Sequence, residues 1–292
     1  MIYFIVNPIA GGGRAFSLIN EIKSSVTGKF HILVTDAPMD GNRLAKQAVH
    51  EGAQAVVAVG GDGTVQEVVS GIAGSGCAFG VIPCGSGNDF IKSIDISEKL
   101  PTSGYLDIIR CGNIRKIDLI KMNDFYFANI ASLGVDAQIV HIAQRLKKKL
   151  RGFSYVAAAL YCTMTCGPTY MSIIADGVRY DREFTLAAIC NGWNYGGGFK
   201  IAPCAKNDDG LITLCLIDKM SKPAMTVLLP SLMLAKHMSL KEVHFINCKN
   251  IEINFEGIQL VNLDGNLYKL SGPLEFEIVP ASLKVLSTKP RY

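Results

Sequence analysis

The chain reads as a two-domain protein. An α/β N-terminal domain with a parallel sheet, and with glycine loops at the C-terminal ends of its strands, precedes a mainly antiparallel β-sandwich domain. Three observations predict this. Strand and helix patterns alternate up to about residue 113. Each of the apolar runs at Ile2, Ala55 and Phe79 ends in a glycine-rich segment. From about Arg115 the pattern becomes short strand-like runs, split by turns such as Asp176-Gly177 and Asp209-Gly210.

Taken in order, Ile2 to Val6 is a short apolar strand that breaks into Asn7-Pro8-Ile9-Ala10-Gly11-Gly12-Gly13-Arg14. A helix follows, with Phe16, Ile19, Ile22 and Val26 near one face. Ile32 to Val34 is the second strand and ends in Thr35-Asp36; Leu44, Ala48 and Val49 mark the inner face of the next helix. Ala55 to Val59 is a buried strand that stops at Gly60-Gly61-Asp62-Gly63-Thr64. Val65, Val68, Val69 and Ile72 then recur at helical spacing. Phe79 to Ile82 is the fourth strand, ending in Pro83-Cys84-Gly85-Ser86-Gly87-Asn88-Asp89-Phe90. Open parallel sheets bind ligands beyond the carboxyl ends of their strands, so the loops point to one common edge.

In the second half, strands are expected at Ile117 to Ile120, Phe125 to Ile130, Ser172 to Ala175, Phe184 to Cys190, Leu211 to Leu216, Ile251 to Phe255, Gln259 to Leu263 and Leu274 to Ile278. Helical stretches interrupt them at Ala137 to Met164, with a break near Arg151-Gly152, and at Ala224 to Met238. The domains divide as 1–113 and 114–278, and residues 279–292 are free to return to the first.

Composition narrows the function. The 292 residues are 49% hydrophobic, enough for two cores. A net charge of +4 without a basic, aromatic-studded stripe argues against nucleic acid. The start, MIYFIVNP, lacks the basic region of a signal peptide, and no uninterrupted apolar span is long enough to cross a membrane. Nine scattered cysteines with no CxxC pair suit reduced thiols and a cytoplasmic protein.

The Gly60 to Thr64 turn carries the chemistry. Glycines let backbone N–H groups approach a ligand, and a helix N-terminus favours anions, so phosphate suits the place. An acid at its centre, Asp62, is explained by a metal or by proton transfer; the alternative is a helix-capping or turn residue. The first glycine loop lacks the GK[ST] of a Walker loop and the third glycine of a dinucleotide fingerprint.

GGDGT followed by Val-Gln-Glu-Val, with NPIAGGGR upstream and PCGSGNDF downstream, resembles the diacylglycerol kinase catalytic domain, and most of all the soluble bacterial lipid kinases of that family. Sphingosine kinases are relatives, and NAD kinases share GGDGT more distantly. The resemblance runs on through SLGVDAQIV, IAPCAKNDDGLI and LDGN. It implies an ATP- and Mg²⁺-dependent enzyme that transfers the γ-phosphate to a lipid hydroxyl, with diacylglycerol first in line, and an active site in an interdomain cleft. The second domain would then hold the lipid.

By the same resemblance Asn7, Pro8, Ile9, Ala10, Gly11, Thr35, Gly60, Gly61, Asp62, Gly63, Thr64, Val65, Gln66 and Ser86 match positions that hold ATP. Asp62 either holds catalytic Mg²⁺ or orients the acceptor hydroxyl. Glu67 could pair with Arg14 or Lys92. Asp136 matches an acid that addresses the lipid head group in the sphingosine kinase relatives, with a structural turn as the alternative. Asp209, with the carbonyls of Lys206 and Leu211, matches a loop that binds a structural Mg²⁺, where an ordinary Asp-Gly turn is the alternative. Asn191 and Trp193 are expected to face the cleft.

One position departs from the pattern. The family reads Asp-Gly-Glu near the C-terminus, with the glutamate as proton acceptor; this chain has Asp264-Gly265-Asn266. An asparagine amide is no base near neutral pH. Asp62 or Asp264 could take that role. Two other functions therefore stand beside the first: a kinase for a soluble substrate in the manner of NAD kinase, and a nucleotide-binding protein with weak or lost catalysis. The basic run Arg145 to Arg151 beside apolar Phe153 to Cys166 suits peripheral docking on the inner face of the membrane; a solvated helix face is the alternative. The reading also leaves room for a homodimer.

Overall fold

The fold is that of a computed structural model, which describes residues 1–150, 154–196 and 198–288; the side chains of residues 147–150, 155 and 229 lie outside the description. The chain forms two compact units, Met1–Leu119 joined by the segment from Val279 onward, and Ile120–Ile278.

In the first unit, β1 (Ile2–Val6), β2 (Phe30–Val34), β3 (Ala55–Gly60) and β4 (Ala78–Pro83) are parallel, in the spatial order β2-β1-β3-β4. Helices α1 (Arg14–Ser25), α2 (Asp40–His50) and α3 (Asp62–Ile72) alternate with them. Every residue of β3 and β4 is buried, which is why these strands read as unbroken apolar runs. Val65, Val68, Val69 and Ile72 of α3 are buried, as their spacing requires. Two helices carried no clear periodic signal: the single turn α4 (Asp89–Ser93) and α5 (Thr102–Cys111), which buries Tyr105, Leu106, Ile108 and Ile109.

The second unit is antiparallel. It contains the last part of β5 (Ile114–Met122), then β6 (Phe125–Phe127), β7 (Ile130–Gly134), α6 (Val135–Leu150), α7 (Ser154–Thr165), β8 (Thr169–Ala175) and β9 (Val178–Cys190). After them come β10 (Ile212–Asp218), α8 (Lys222–Met233), β11 (Val243–Cys248), β12 (Asn250–Asn254), β13 (Ile258–Leu263), β14 (Asn266–Ser271) and the first part of β15 (Leu274–Leu286). The order β14-β13-β7-β9-β8-β12-β15 forms the main sheet, and β10 and β11 branch from β9.

Strand β9 is buried on both faces. Ala187 and Ile189 enter one apolar cluster, while Leu186, Ala188 and Cys190 enter another with Leu228 and Leu232 of α8. All nine cysteines are free thiols.

Three departures from the sequence reading have physical causes. The expected strand Phe125 to Ile130 is broken, because the N–H groups of Ala128, Asn129 and Ile130 turn to the carboxylate of Asp264 instead of a ladder. Strands β11 and β14 mix apolar and polar residues without the alternation that marks a half-buried strand. Strand β15 does not stop at Ile278: it bends at Ala281, with φ of 49°, and its second part pairs in parallel with β4, Lys284 opposite Ala78.

Candidate active site

In the first unit, four loops leave the carboxyl edge of the sheet and tie to one another. The Asn7 amide nitrogen donates to the Thr64 hydroxyl at 3.1 Å, and Cys84 N–H to the Gly60 carbonyl at 2.7 Å. Thr35 N–H reaches the Val6 carbonyl at 3.0 Å, and the Arg14 guanidinium donates to the Pro83 carbonyl at 3.0 Å. Glycine is needed where the loops touch. A Cβ on Gly85 would lie 2.7 Å from the Gly61 Cα, and one on Gly11, whose φ is +63°, would lie 2.4 Å from the Cys84 carbonyl oxygen.

Asn7, Gly11, Gly60, Gly61, Asp62 and Thr64 thus share one edge, at the N-terminus of α3, where Gly61 has no side chain with which to cap the helix. Pro8 and Ala10 are half-buried beside an exposed Ile9, and Ser86 is exposed on its loop. Thr35 is buried. The side chains of Val65 and Gln66 are buried, and the Val65 N–H donates to the Gly61 carbonyl at 3.0 Å.

Two acids on α3 reach outward to neighbouring loops. Asp62 Oδ1 accepts from the N–H groups of Asp89 at 2.6 Å and Phe90 at 3.2 Å, so its carboxylate caps α4 through space. Glu67 does not pair with Arg14 or Lys92. Its two oxygens accept from Met39 N–H at 3.1 Å and Gly41 N–H at 2.9 Å, capping α2. Burial pushes the Glu67 carboxyl above its usual range, against those two amides. Lys92 is held by the Gly87 carbonyl, Asp89 and Glu98.

The second unit holds the other predicted residues. Asp264 and Gly265, with φ of 47° and 92°, form the two-residue turn between β13 and β14. The buried Asp264 carboxylate accepts three backbone N–H bonds, from Ala128, Asn129 and Ile130, at 2.7–3.2 Å. Asn266 opens β14, half-buried. Asn191, expected with Trp193 to face the cleft, is wholly buried and donates to the Ala128 carbonyl at 2.8 Å, while Trp193 is half-buried.

Asp136, 4% exposed, accepts from the hydroxyls of Ser132 and Tyr195 and, at 3.3 Å, from the amide of Asn262. Burial raises its carboxyl above the usual range, while those donors lower it. The Tyr195 phenol is pushed well above its usual value by burial and by Asp136. These partners went unrecognised in the sequence, although Ser132 lies only four residues before Asp136, at the end of β7, and Tyr195 lies in the glycine-rich segment after Asn191. Above the acid is an apolar cavity lined by Ile139 of α6, Ala159 of α7, Leu186 of β9, and Met225, Leu228 and Leu232 of α8.

In the loop before β10, Asp209 Oδ1 accepts from Leu211 N–H at 3.1 Å, an Asx turn completed by Gly210 at φ 71°. Among the described residues no three His, Cys, Asp or Glu side chains gather to hold a metal ion. One carboxylate with the carbonyls of Lys206 and Leu211 is a donor set of hard oxygens, which suits Mg²⁺ that keeps several waters.

Glycine loops at the edge of a parallel sheet, on a chain that continues into an antiparallel sandwich-like unit, define a class of kinases. Residues 1–122 match the family model of the diacylglycerol kinase catalytic domain, and residues 129–287 match the YegS C-terminal NAD kinase beta sandwich-like domain. A diacylglycerol kinase of Mycobacterium tuberculosis is 30% identical over 99% of this chain and 94% of its own length. A diacylglycerol kinase of Staphylococcus aureus is 32% identical over 77% and 72%. A crystallised protein of Bacillus anthracis superposes with a TM-score of 0.80 at 22% identity, over 98% of this chain and 97% of its own, a likeness of fold. The chain belongs to the diacylglycerol kinase catalytic-domain family and is a lipid kinase, a phosphotransferase. No helix among the described residues is long and apolar enough to cross a membrane.

Proposed function

We propose that this kinase uses ATP and Mg²⁺ to phosphorylate the free hydroxyl of diacylglycerol, giving phosphatidic acid. The observation that carries the acceptor is the surroundings of Asp136. A buried acid that already faces two hydroxyls and an amide favours a hydroxylated head group. The apolar lining above it supports a lipid acceptor.

On the nucleotide side, the reading is supported by the joined glycine loops and the α3 N-terminus, which favour polyphosphate. Asp62 would hold Mg²⁺, and Asp209 with the Lys206 and Leu211 carbonyls would hold a second, structural ion. When bound, Mg²⁺ supplies charge neutralisation on the β- and γ-phosphates. Phosphoryl transfer asks little of a base, so Asn266 slows the reaction without abolishing it. Asp264, committed to three amides, is a poor substitute for the missing glutamate, which leaves Asp62 to orient the hydroxyl.

Transfer from labelled ATP to diacylglycerol in mixed micelles, with NAD and a sphingoid base as competing acceptors, tests this. The expected product is labelled phosphatidic acid, with Asn266→Glu raising turnover roughly 10²-fold if a base at this position contributes its usual share. Labelled NADP with unlabelled lipid would overturn the acceptor assignment. Asn266 itself favours a second reading, a nucleotide-binding protein without transfer; nucleotide binding with no labelled product, in the wild type and in Asn266→Glu alike, would establish it.

A further inference from the structure

The geometry points to Tyr195 as a residue that determines which acceptor is admitted: its phenol holds the Asp136 oxygen that the acceptor's own hydrogen-bond donor takes over on binding. The inference rests on the lipid-acceptor reading of Asp136 and names the side chain that gives way to the lipid.

The two oxygens of Asp136 are held very differently. Oδ2 accepts from the Ser132 hydroxyl and, at 3.3 Å, from the Asn262 amide, which also reaches the Ser132 hydroxyl at 3.2 Å. Ser132 and Asn262 stand opposite each other in the β7–β13 ladder and both are buried, so neither can be replaced without opening the sheet. Oδ1 accepts from the Tyr195 hydroxyl. Tyr195 belongs to no strand. It lies half-buried on the link between β9 and β10, tied by a single bridge to Phe199 with a 3.0 Å bond in each direction. The phenol is thus the partner of Asp136 that can leave while the sheet stays intact. The exchange makes no use of the basic run Arg145 to Arg151, of which Arg151 and the side chains from Lys147 onward lie outside the described residues.

The cavity above the acid argues for the same exchange. Tyr195, Gly196 and Phe199 form one side of it, facing Ile139, Met225 and Leu232. Its volume is about 30 Å³, against roughly 300–1,000 Å³ for ligand pockets. The site is closed around its own tyrosine, and an acyl chain enters only when that side moves away. Once the phenol has left, Oδ1 is a buried acceptor without a donor, a loss that an acceptor's hydroxyl restores and an ester or ether oxygen cannot. A site built to pair such a group rejects the analogue that lacks it. The exchange therefore selects a lipid with a free hydroxyl over a fully acylated one.

The test is Tyr195→Phe in the full chain, which deletes the competing hydroxyl and keeps the ring. Its KM for a dispersed short-chain diacylglycerol should fall about tenfold while its KM for ATP stays unchanged, and lipid binding measured without nucleotide should tighten by the same factor. A hydroxyl that supports the fold alone, or that itself binds the acceptor, would leave the diacylglycerol KM unchanged or raise it; either result overturns the proposal. The wild type supplies a second test that does not depend on how the variant folds. The methyl ether of the same diacylglycerol should bind at least about tenfold more weakly than the alcohol, and equal binding overturns the proposal. Tighter lipid binding by Tyr195→Phe, with no labelled phosphatidic acid from either protein, would uphold the role of Tyr195 and overturn diacylglycerol as the phosphorylated acceptor.

Discussion

Asp62 and Asp264 carry the same functional group, and their surroundings set them different tasks. Asp62 spends one oxygen on two N–H groups of α4, so Asp62→Asn, which retains an acceptor there, should melt near the wild type yet lose transfer. Asp62→Ala should lose transfer and also about 1 kcal/mol of stability, the cost of an absent cap; calorimetry beside a transfer assay separates the two. Asp264→Ala would strand three buried N–H groups and should cost on the order of 3 kcal/mol or more, visible as a lower urea midpoint before any assay is run. Asp136 makes a pH-dependent prediction. Its folded pKa is raised, so the stability it contributes is full below its unfolded value and is lost as pH rises through the folded one. Asp136→Asn removes that loss, and urea unfolding at acid and alkaline pH should show the variant gaining on the wild type as pH rises.

At the scale of elements, α3 fixes both of its neighbours: it reaches α4 through Asp62 and α2 through Glu67. Glu67→Ala should destabilise the loop from Thr35 to Met39, raising the KM for ATP more than it lowers kcat, while Glu67→Gln, which keeps an acceptor, should restore most of the difference. None of this was legible in the sequence. A cap from the residue's own helix leaves a local signature, whereas these caps cross to chain 27 residues later and 28 residues earlier. The glycine loops and the strand-to-helix pattern were legible because their signal is local: an apolar run, a turn that only glycine tolerates, then helical spacing. The break after Phe127 was hidden for the opposite reason, since its cause, Asp264, lies 136 residues away.

For the whole molecule, the first unit is closed by the second part of β15, which covers β4 and buries Leu283, Val285 and Leu286. A chain ended after Ile278 should expose that edge of β4 and become insoluble, or lose cooperative melting, a behaviour that circular dichroism and size-exclusion chromatography would report. The change of texture near Arg115 was readable because parallel α/β and antiparallel patterns differ in composition. The return of residues 279–292 was expected from the family resemblance alone, since nothing local in Leu274 to Leu286 tells an antiparallel strand that it will end in a parallel pairing.

That last strand also sets an order of events during synthesis. Residues 120–278 are the second unit in one continuous piece, whereas the strand that pairs with β4 in the first unit is encoded behind them. On the ribosome, the sheet that carries the glycine loops must wait with β4 unpaired on that side while the second unit emerges and folds. The glycine-loop half, begun first, is thus completed last.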